Sequence, residues 1–266
     1  MPIYCVLGGT GSSGSAVVRA LLANPPQDLT LRVYARSQKK LLGIFPDLAA
    51  KAEIVDGSLS DSAIAKRCFQ DVDYIISCVA SNYSEPGTTI AVDTAASIIS
   101  TLQTLRAENP KTYHAPTVVS ISSASMNGNL QPKTPAFAKK LLWSALHYIY
   151  TDVQAHEELY QTTLAADPDL LYPIFAQPPM IVPGDIPTGH GLSTTDQGQM
   201  LYFADLGVAM VELAGKNQEY SGKGVSIVAT GKVVPEYKQN VKHLLYGACT
   251  YLFPGVWRVG RNWGWW

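Results

Sequence analysis

Apolar residues in this chain come in short blocks separated by polar, glycine- or proline-bearing segments, and two spacings alternate along it. Ile3 to Leu7 is a continuous apolar run, the pattern of a strand covered on both faces, and Val17, Val18, Leu21 and Leu22 follow at helical spacing. The alternation then repeats. Leu29 to Ala35 predicts a second strand, Glu53 to Ser58 a short third one ending in Asp56, Asp73 to Ala80 a fourth, Thr117 to Ser123 a fifth and Leu170 to Phe175 a sixth. Helices are predicted from near Asp61 to before Asp71, from about Ile90 to Ala107, and from Ala136 to about Leu164. Beyond Phe175 the texture changes. Gln177 to Asp185, with its prolines, and the Gly/Thr-rich stretch to Gly198 read as ordered loop, a length that usually serves function. A helix over Tyr202 to Ala214, a strand over Gly224 to Ala229 and a helix around Val241 to Phe253 complete the pattern.

The first strand runs directly into glycines 8, 11 and 14, with Gly9 extra, before the first helix. Lacking Cβ atoms, such a turn presses its N–H groups and the positive helix end against a pyrophosphate. Gly8 permits the turn, Gly11 close approach and Gly14 helix–strand packing, while Thr10, Ser12 and Ser13 complete the loop. A dinucleotide is therefore expected. At the end of the second strand stands Arg36, with Lys39 and Lys40 nearby, where a carboxylate would select the unphosphorylated cofactor. An arginine there suits a 2′-phosphate, so the expected cofactor is NADP(H), against the alternative of a solvated basic loop. Asp56 is placed near the adenine edge, and Cys78 to Ser81, including Val79 and Ala80, beside the ribose. The fold class that follows is α/β: a Rossmann-type doubly wound parallel sheet with helices on both faces and a small C-terminal substrate-binding or lid region. Residues 1–176 form the dinucleotide-binding core, and 177–266 the substrate loops, helices and aromatic tail of the same unit.

Composition narrows the partners. With 266 residues, 47% of them hydrophobic, the chain can bury a full core. A formal charge of −1, with 15% charged residues, provides no broad basic field for nucleic acid, so a small ligand is expected. Cys5, Cys68, Cys78 and Cys249 are scattered, mostly in or beside apolar runs, which predicts free thiols in a reducing, cytoplasmic setting. The N-terminal apolar stretch is too short for a signal peptide, and no run reaches the ~20 residues of a membrane span. No metal is expected, because His114, His147, His190 and His243 show no ligand spacing. No Gly-x-Ser-x-Gly elbow points to a serine hydrolase.

Leu7 to Gly14, Arg36, Pro178-Pro179 and Phe203-Ala204-Asp205-Leu206-Gly207 together resemble the atypical short-chain dehydrogenase/reductases of the NmrA-like kind. More narrowly the chain is similar to averufin oxidase A-type oxidoreductases of fungal aromatic polyketide pathways. That resemblance implies an NADP(H)-binding fold whose C-terminal elements hold a hydrophobic polycyclic phenol or quinone. Many reductases of the wider superfamily use Tyr-x-x-x-Lys with an upstream serine, the lysine lowering the tyrosine pKa. The matching stretch here begins at Tyr148, with Ser122 and Ser123 upstream, and Asp152 replaces the lysine.

An anion one turn from Tyr148 would oppose tyrosinate. What remains is a polar stripe of Tyr148, Asp152 and His156 on one helix face, in which Asp152 orients a basic His156; a solvated surface pair beside Glu157 and Glu158 is the plainer reading. The catalytic candidates are accordingly Tyr148, Asp152, Ser123 and His156. Asn82, Tyr83 and Glu85 are weaker ones, on the loop after the fourth strand. Two classes of function stand: an NADP(H)-dependent oxidoreductase, with redox-neutral isomerisation, dehydration or ring opening as its variant, or a non-catalytic dinucleotide sensor. The C-terminal tail gathers Trp257, Trp263, Trp265 and Trp266, with Lys238, Lys242, Arg258 and Arg261 against Glu236. Packing, pocket lining or a dimer contact is its first expected role, and membrane contact its second.

Overall fold

The computed structural model describes residues 1–130, 135–234, 238–255 and 257. Six strands, β1 (Ile3–Leu7), β2 (Thr30–Ala35), β3 (Glu53–Asp56), β4 (Tyr74–Ser77), β5 (Thr117–Ile121) and β6 (Tyr172–Gln177), pair in parallel. They are joined by the helices α1 (Ser12–Ala23), α2 (Gln38–Ile44), α3 (Ser62–Phe69), α4 (Ile90–Glu108), α5 (Ala136–Ala145) and α6 (His147–Ala166). The C-terminal part adds β7 (Met180–Val182), β8 (His190–Ser193), β9 (Met200–Tyr202), α7 (Phe203–Ala214), α8 (Asn217–Tyr220), β10 (Gly224–Ala229) and α9 (Lys238–Leu252). The main sheet has the order β3-β2-β1-β4-β5-β6-β10-β8, with β8 its antiparallel edge, while β7 and β9 form a small parallel pair.

The chain reverses its winding direction at β1, as the doubly wound pattern requires. Side chains alternate faces along β1, so Tyr4 and Val6 join one core with Val17, Val18 and Leu21 of α1 and Leu206, Met210 and Leu213 of α7. Cys5 and Leu7 join the other, with Phe69 of α3, Ile98 and Leu102 of α4 and Tyr160 of α6. Helix α7 crosses α1 so closely that a Cβ on Gly207 would stand 2.5 Å from the Ala16 carbonyl.

Three readings of the pattern change. The basic stretch after β2 leads into α2, whose one fully buried side chain is Leu41; Ser37 accepts the Lys40 N–H at 3.3 Å as its cap. The predicted helix from Ala136 to Leu164 is two helices, broken at Leu146, where neither Gly nor Pro marks the break. The loop after β6 contains β7 and β8, and β9 precedes α7. Trp263, Trp265, Trp266, Arg258 and Arg261 lie outside the described residues.

Candidate functional site

A cleft of about 1070 Å³ runs along the C-terminal ends of the parallel strands, the usual ligand position in this topology. At one end it is floored by the turn between β1 and α1. Gly8 has φ +83°, and a Cβ there would lie 2.9 Å from the Cys78 carbonyl oxygen, so only glycine fits. The Gly11 N–H donates to the Gly8 carbonyl at 2.9 Å, closing the turn. No side chain caps α1 and no carboxylate occupies its first turn, which leaves its N–H groups for an anion.

Thr10, Gly11, Ser12 and Ser13 line this end, followed by Arg36 and Lys40, Ser58 and Leu59, then Val79 and Ala80. Among the described residues no salt bridge holds Arg36 or Lys40. Two residues named for the cofactor end do not line the cleft. Gly14 is buried behind the turn, where its missing Cβ lets Gly8 approach, and Asp56 is exposed at the tip of β3 outside the cleft lining. The residues present fit a dinucleotide: a Cβ-free turn, an uncapped helix end and two unpaired cations in one line.

The other end is assembled from β5, α5 and α6. Ser123 lines it, and its hydroxyl lies 2.7 Å from that of Ser125, which is hydrogen-bonded in turn to the Tyr150 hydroxyl; Ser123 and Tyr150 are 3.5 Å apart. Tyr150 is buried, its ring packed on Trp143 with centroids 5.4 Å apart. Burial raises its pKa, with the hydroxyls of Ser123 and Ser125 acting in the opposite direction. The phenol is therefore held protonated. Four residues on from Tyr150 stands Gln154, exposed, and Arg36, Lys40 and His243 are the basic side chains among the described residues of the lining. Burial also pushes the Cys78 thiol up to about 12, so it is not a thiolate nucleophile.

The polar stripe on α6 faces the protein interior. Asp152 is buried and accepts the backbone N–H groups of Ala91 at 2.9 Å and Val92 at 3.0 Å, capping α4. Its pKa is raised by burial, partly offset by those two bonds. His156 is buried with Nε2 2.9 Å from the Ser120 hydroxyl, and burial lowers its pKa to about 4. It is a neutral core histidine, and Asp152 does not orient it. Neither residue lines the cleft, nor does Tyr148, whose N–H donates to the Ser84 hydroxyl at 3.2 Å. The surface-pair reading fails as well, because both groups are buried. Even Glu157 is drawn in, accepting from Gln177 Nε2 at 3.2 Å, with burial raising its pKa. Of the four catalytic candidates only Ser123 reaches the cleft.

Residues that the spacing did not single out complete the site. Tyr150 lies two positions from Tyr148, about 200° around the helix, and so meets the cleft where Tyr148 does not. Leu142 and Leu146, Pro178 to Ile181, Phe203 and Leu244 of α9 form an apolar wall, in which His243 is the one basic group. Asn82 lines the cleft, while Tyr83 packs on His243 with centroids 5.3 Å apart. Asp205, fully buried, accepts the N–H groups of Thr188 at 2.7 Å and Gly189 at 2.8 Å and so pins the loop before β8 to α7.

Comparison with known proteins agrees with this geometry. A family model described as NAD(P)H-binding matches residues 8–198. Averufin oxidase A of Dothistroma septosporum is 35% identical, covering 100% of this chain and 94% of its own. Averufin oxidase A of Aspergillus flavus is 34% identical over 95% of this chain and 91% of its own. A short-chain dehydrogenase/reductase from Veillonella parvula superposes with a TM-score of 0.67 at 12% identity, covering 89% of this chain and 99% of that one. Another from the same organism, in complex with NADP, gives 0.65 at 13% identity, covering 86% and 95%. At such identities the superpositions establish the fold.

Proposed function

Since this chain belongs to the NAD(P)H-binding family, among the averufin oxidase A-type oxidoreductases, we propose that it is an NADP(H)-dependent oxidoreductase that reduces a carbonyl of a flat, hydrophobic aromatic substrate. One observation carries the reading: a single cleft joins the uncapped N-terminus of α1, Arg36 and Lys40 to the Ser123–Ser125–Tyr150 hydroxyl cluster. Arg36 and Lys40 hold the 2′-phosphate, and the glycine turn holds the pyrophosphate. When bound, the cofactor supplies a hydride.

Tyr150 performs the proton chemistry. Its protonated phenol donates to the substrate carbonyl oxygen and gives up the proton as negative charge develops there. Ser123 and Ser125 orient the phenol and offer a path by which a proton returns to it. Without a lysine to stabilise tyrosinate, the phenol rests in its protonated form, the state from which it can donate. The apolar wall from Leu142 to Leu244 excludes water and matches a polycyclic ring system, the substrate class to which the relatives' name points.

Tyr150→Phe should lower turnover about 10²-fold or more while leaving the NADPH dissociation constant unchanged, and Tyr148→Phe should leave both intact. Loss of turnover in Tyr148→Phe but not in Tyr150→Phe would overturn the assignment. Gln154 in the lysine position favours a second reading, redox-neutral chemistry on a retained cofactor or a dinucleotide sensor. Substrate conversion without any change in nicotinamide absorbance would mark the redox-neutral case, and cofactor binding without conversion would mark the sensor.

A further inference from the structure

Helices α5 and α9 pack side by side, and a Cβ on Gly247 of α9 would run into the Ala145 carbonyl of α5. Both turn one face to the cleft, through Leu142 on α5 and through His243 and Leu244 on α9. Both also carry apolar side chains into solvent on a neighbouring face. Phe137 is 75% exposed, Leu141 65%, Leu245 64% and Leu252 67%, with Val241 on the same stripe of α9. Positions 137 and 141 are one turn apart, as are 241 and 245, so each helix shows a continuous apolar stripe. Phe253, just past α9, is exposed as well.

Charge distinguishes this face from an ordinary apolar patch. The two helices hold Lys139, Lys140, Lys238 and Lys242 and no carboxylate, although the whole chain has a formal charge of −1. Lys140 and Lys242 are exposed beside the apolar stripes. An apolar face on two helices that carry lysines and no acids complements one type of partner best, a lipid surface with anionic headgroups: acyl chains receive the Phe and Leu side chains, and the headgroups meet the ammonium ions. A second copy of this chain would bring Lys140 and Lys242 against their own counterparts.

We infer that the outer face of the α5–α9 pair docks this protein on anionic lipid membranes, with the inner face of the same pair forming the wall of the cleft. The inference goes beyond the proposed reaction and does not depend on it. Docking there places the substrate wall next to the phase in which a lipophilic molecule dissolves.

Co-sedimentation of the full chain with phosphatidylcholine vesicles, with and without added phosphatidylserine, tests it. The protein should pellet with the anionic vesicles, remain in solution with the neutral ones, and be released by salt. Phe137→Glu combined with Leu245→Glu should weaken vesicle binding roughly tenfold or more, and so should Lys140→Glu with Lys242→Glu. NADPH affinity and the thermal transition of both variants should match those of the parent, which separates lost docking from misfolding and from failure of the proposed reaction. Partition into solution with both lipid compositions overturns the inference. So does vesicle binding that survives both double variants, or a dimer by light scattering that Leu245→Glu dissociates while vesicles bind nothing, an outcome that assigns the face to a second copy.

Discussion

The carboxylate of Asp152 accepts the backbone N–H of Ala91 at 2.9 Å, so a residue of α6 caps the first turn of α4 across sixty-one positions of sequence. The bond, with its neighbour to Val92, satisfies donors that α4 cannot satisfy itself, since Thr89 provides no side-chain cap. Asp152→Ala should therefore cost about 1–3 kcal/mol of stability in denaturant unfolding. Turnover per folded molecule should stay near that of the parent. A loss of turnover with stability preserved would restore Asp152 to the chemistry.

His156 sets an acid limit on the fold. Its pKa falls from 6.5 to about 4 on burial, so the unfolded chain binds more protons than the native one between those values. The contribution is fully present above pH 6.5 and is lost as pH falls toward 4, amounting to about 3 kcal/mol. His156→Gln should flatten this part of the stability curve, as measured by urea midpoints across the range. An unchanged slope would refute the assignment.

Arg36 should separate the two nicotinamide cofactors. Arg36→Ala is expected to weaken NADPH binding by about 1–3 kcal/mol, the loss of a charged hydrogen bond, and to leave NADH binding nearly unchanged. Titration calorimetry with both cofactors checks this. Equal affinity of the parent protein for both would defeat it.

Gly207 lets α7 approach α1, and Gly207→Ala places a methyl group against the Ala16 carbonyl at 2.5 Å. The two helices must separate, at a cost of about 1–3 kcal/mol. Because α1 carries the anion-binding turn, NADPH affinity should fall along with the melting temperature. A drop in stability with affinity intact would show that α1 holds its position without α7.

Much of the sheet is legible in the chain because buried parallel strands are nearly continuous apolar runs: Ile3–Leu7 and Gly224–Ala229 begin and end where the pattern places them. The anion end of the site is legible for a related reason. A Cβ-free turn leaves glycines at fixed spacing, and a cation after β2 is a local signal. The reacting end is not local. Tyr148 and Tyr150 are equally tyrosines on one helix, and the choice between them depends on how α6 rolls against β5, which burial of Asp152 and His156 decides. Polar side chains at i, i+4 and i+8 point to an outward or catalytic face, yet Asp152 and His156 have internal partners in Ala91, Val92 and Ser120. The break at Leu146 leaves no mark in the sequence because no residue there forbids helix, and α2 leaves little because six of its seven residues are not buried.

The break at Leu146 also has a consequence for how such a protein diversifies. On its N-terminal side α5, together with α9, supplies Leu142, His243 and Leu244 to the cleft, while the glycine turn, Arg36 and Tyr150 belong to other elements. Exchanging the α5–α9 pair between relatives should therefore transplant ligand preference onto an unaltered nucleotide seat and proton donor. The junction is a seam along which specificity can be re-engineered without touching the reaction.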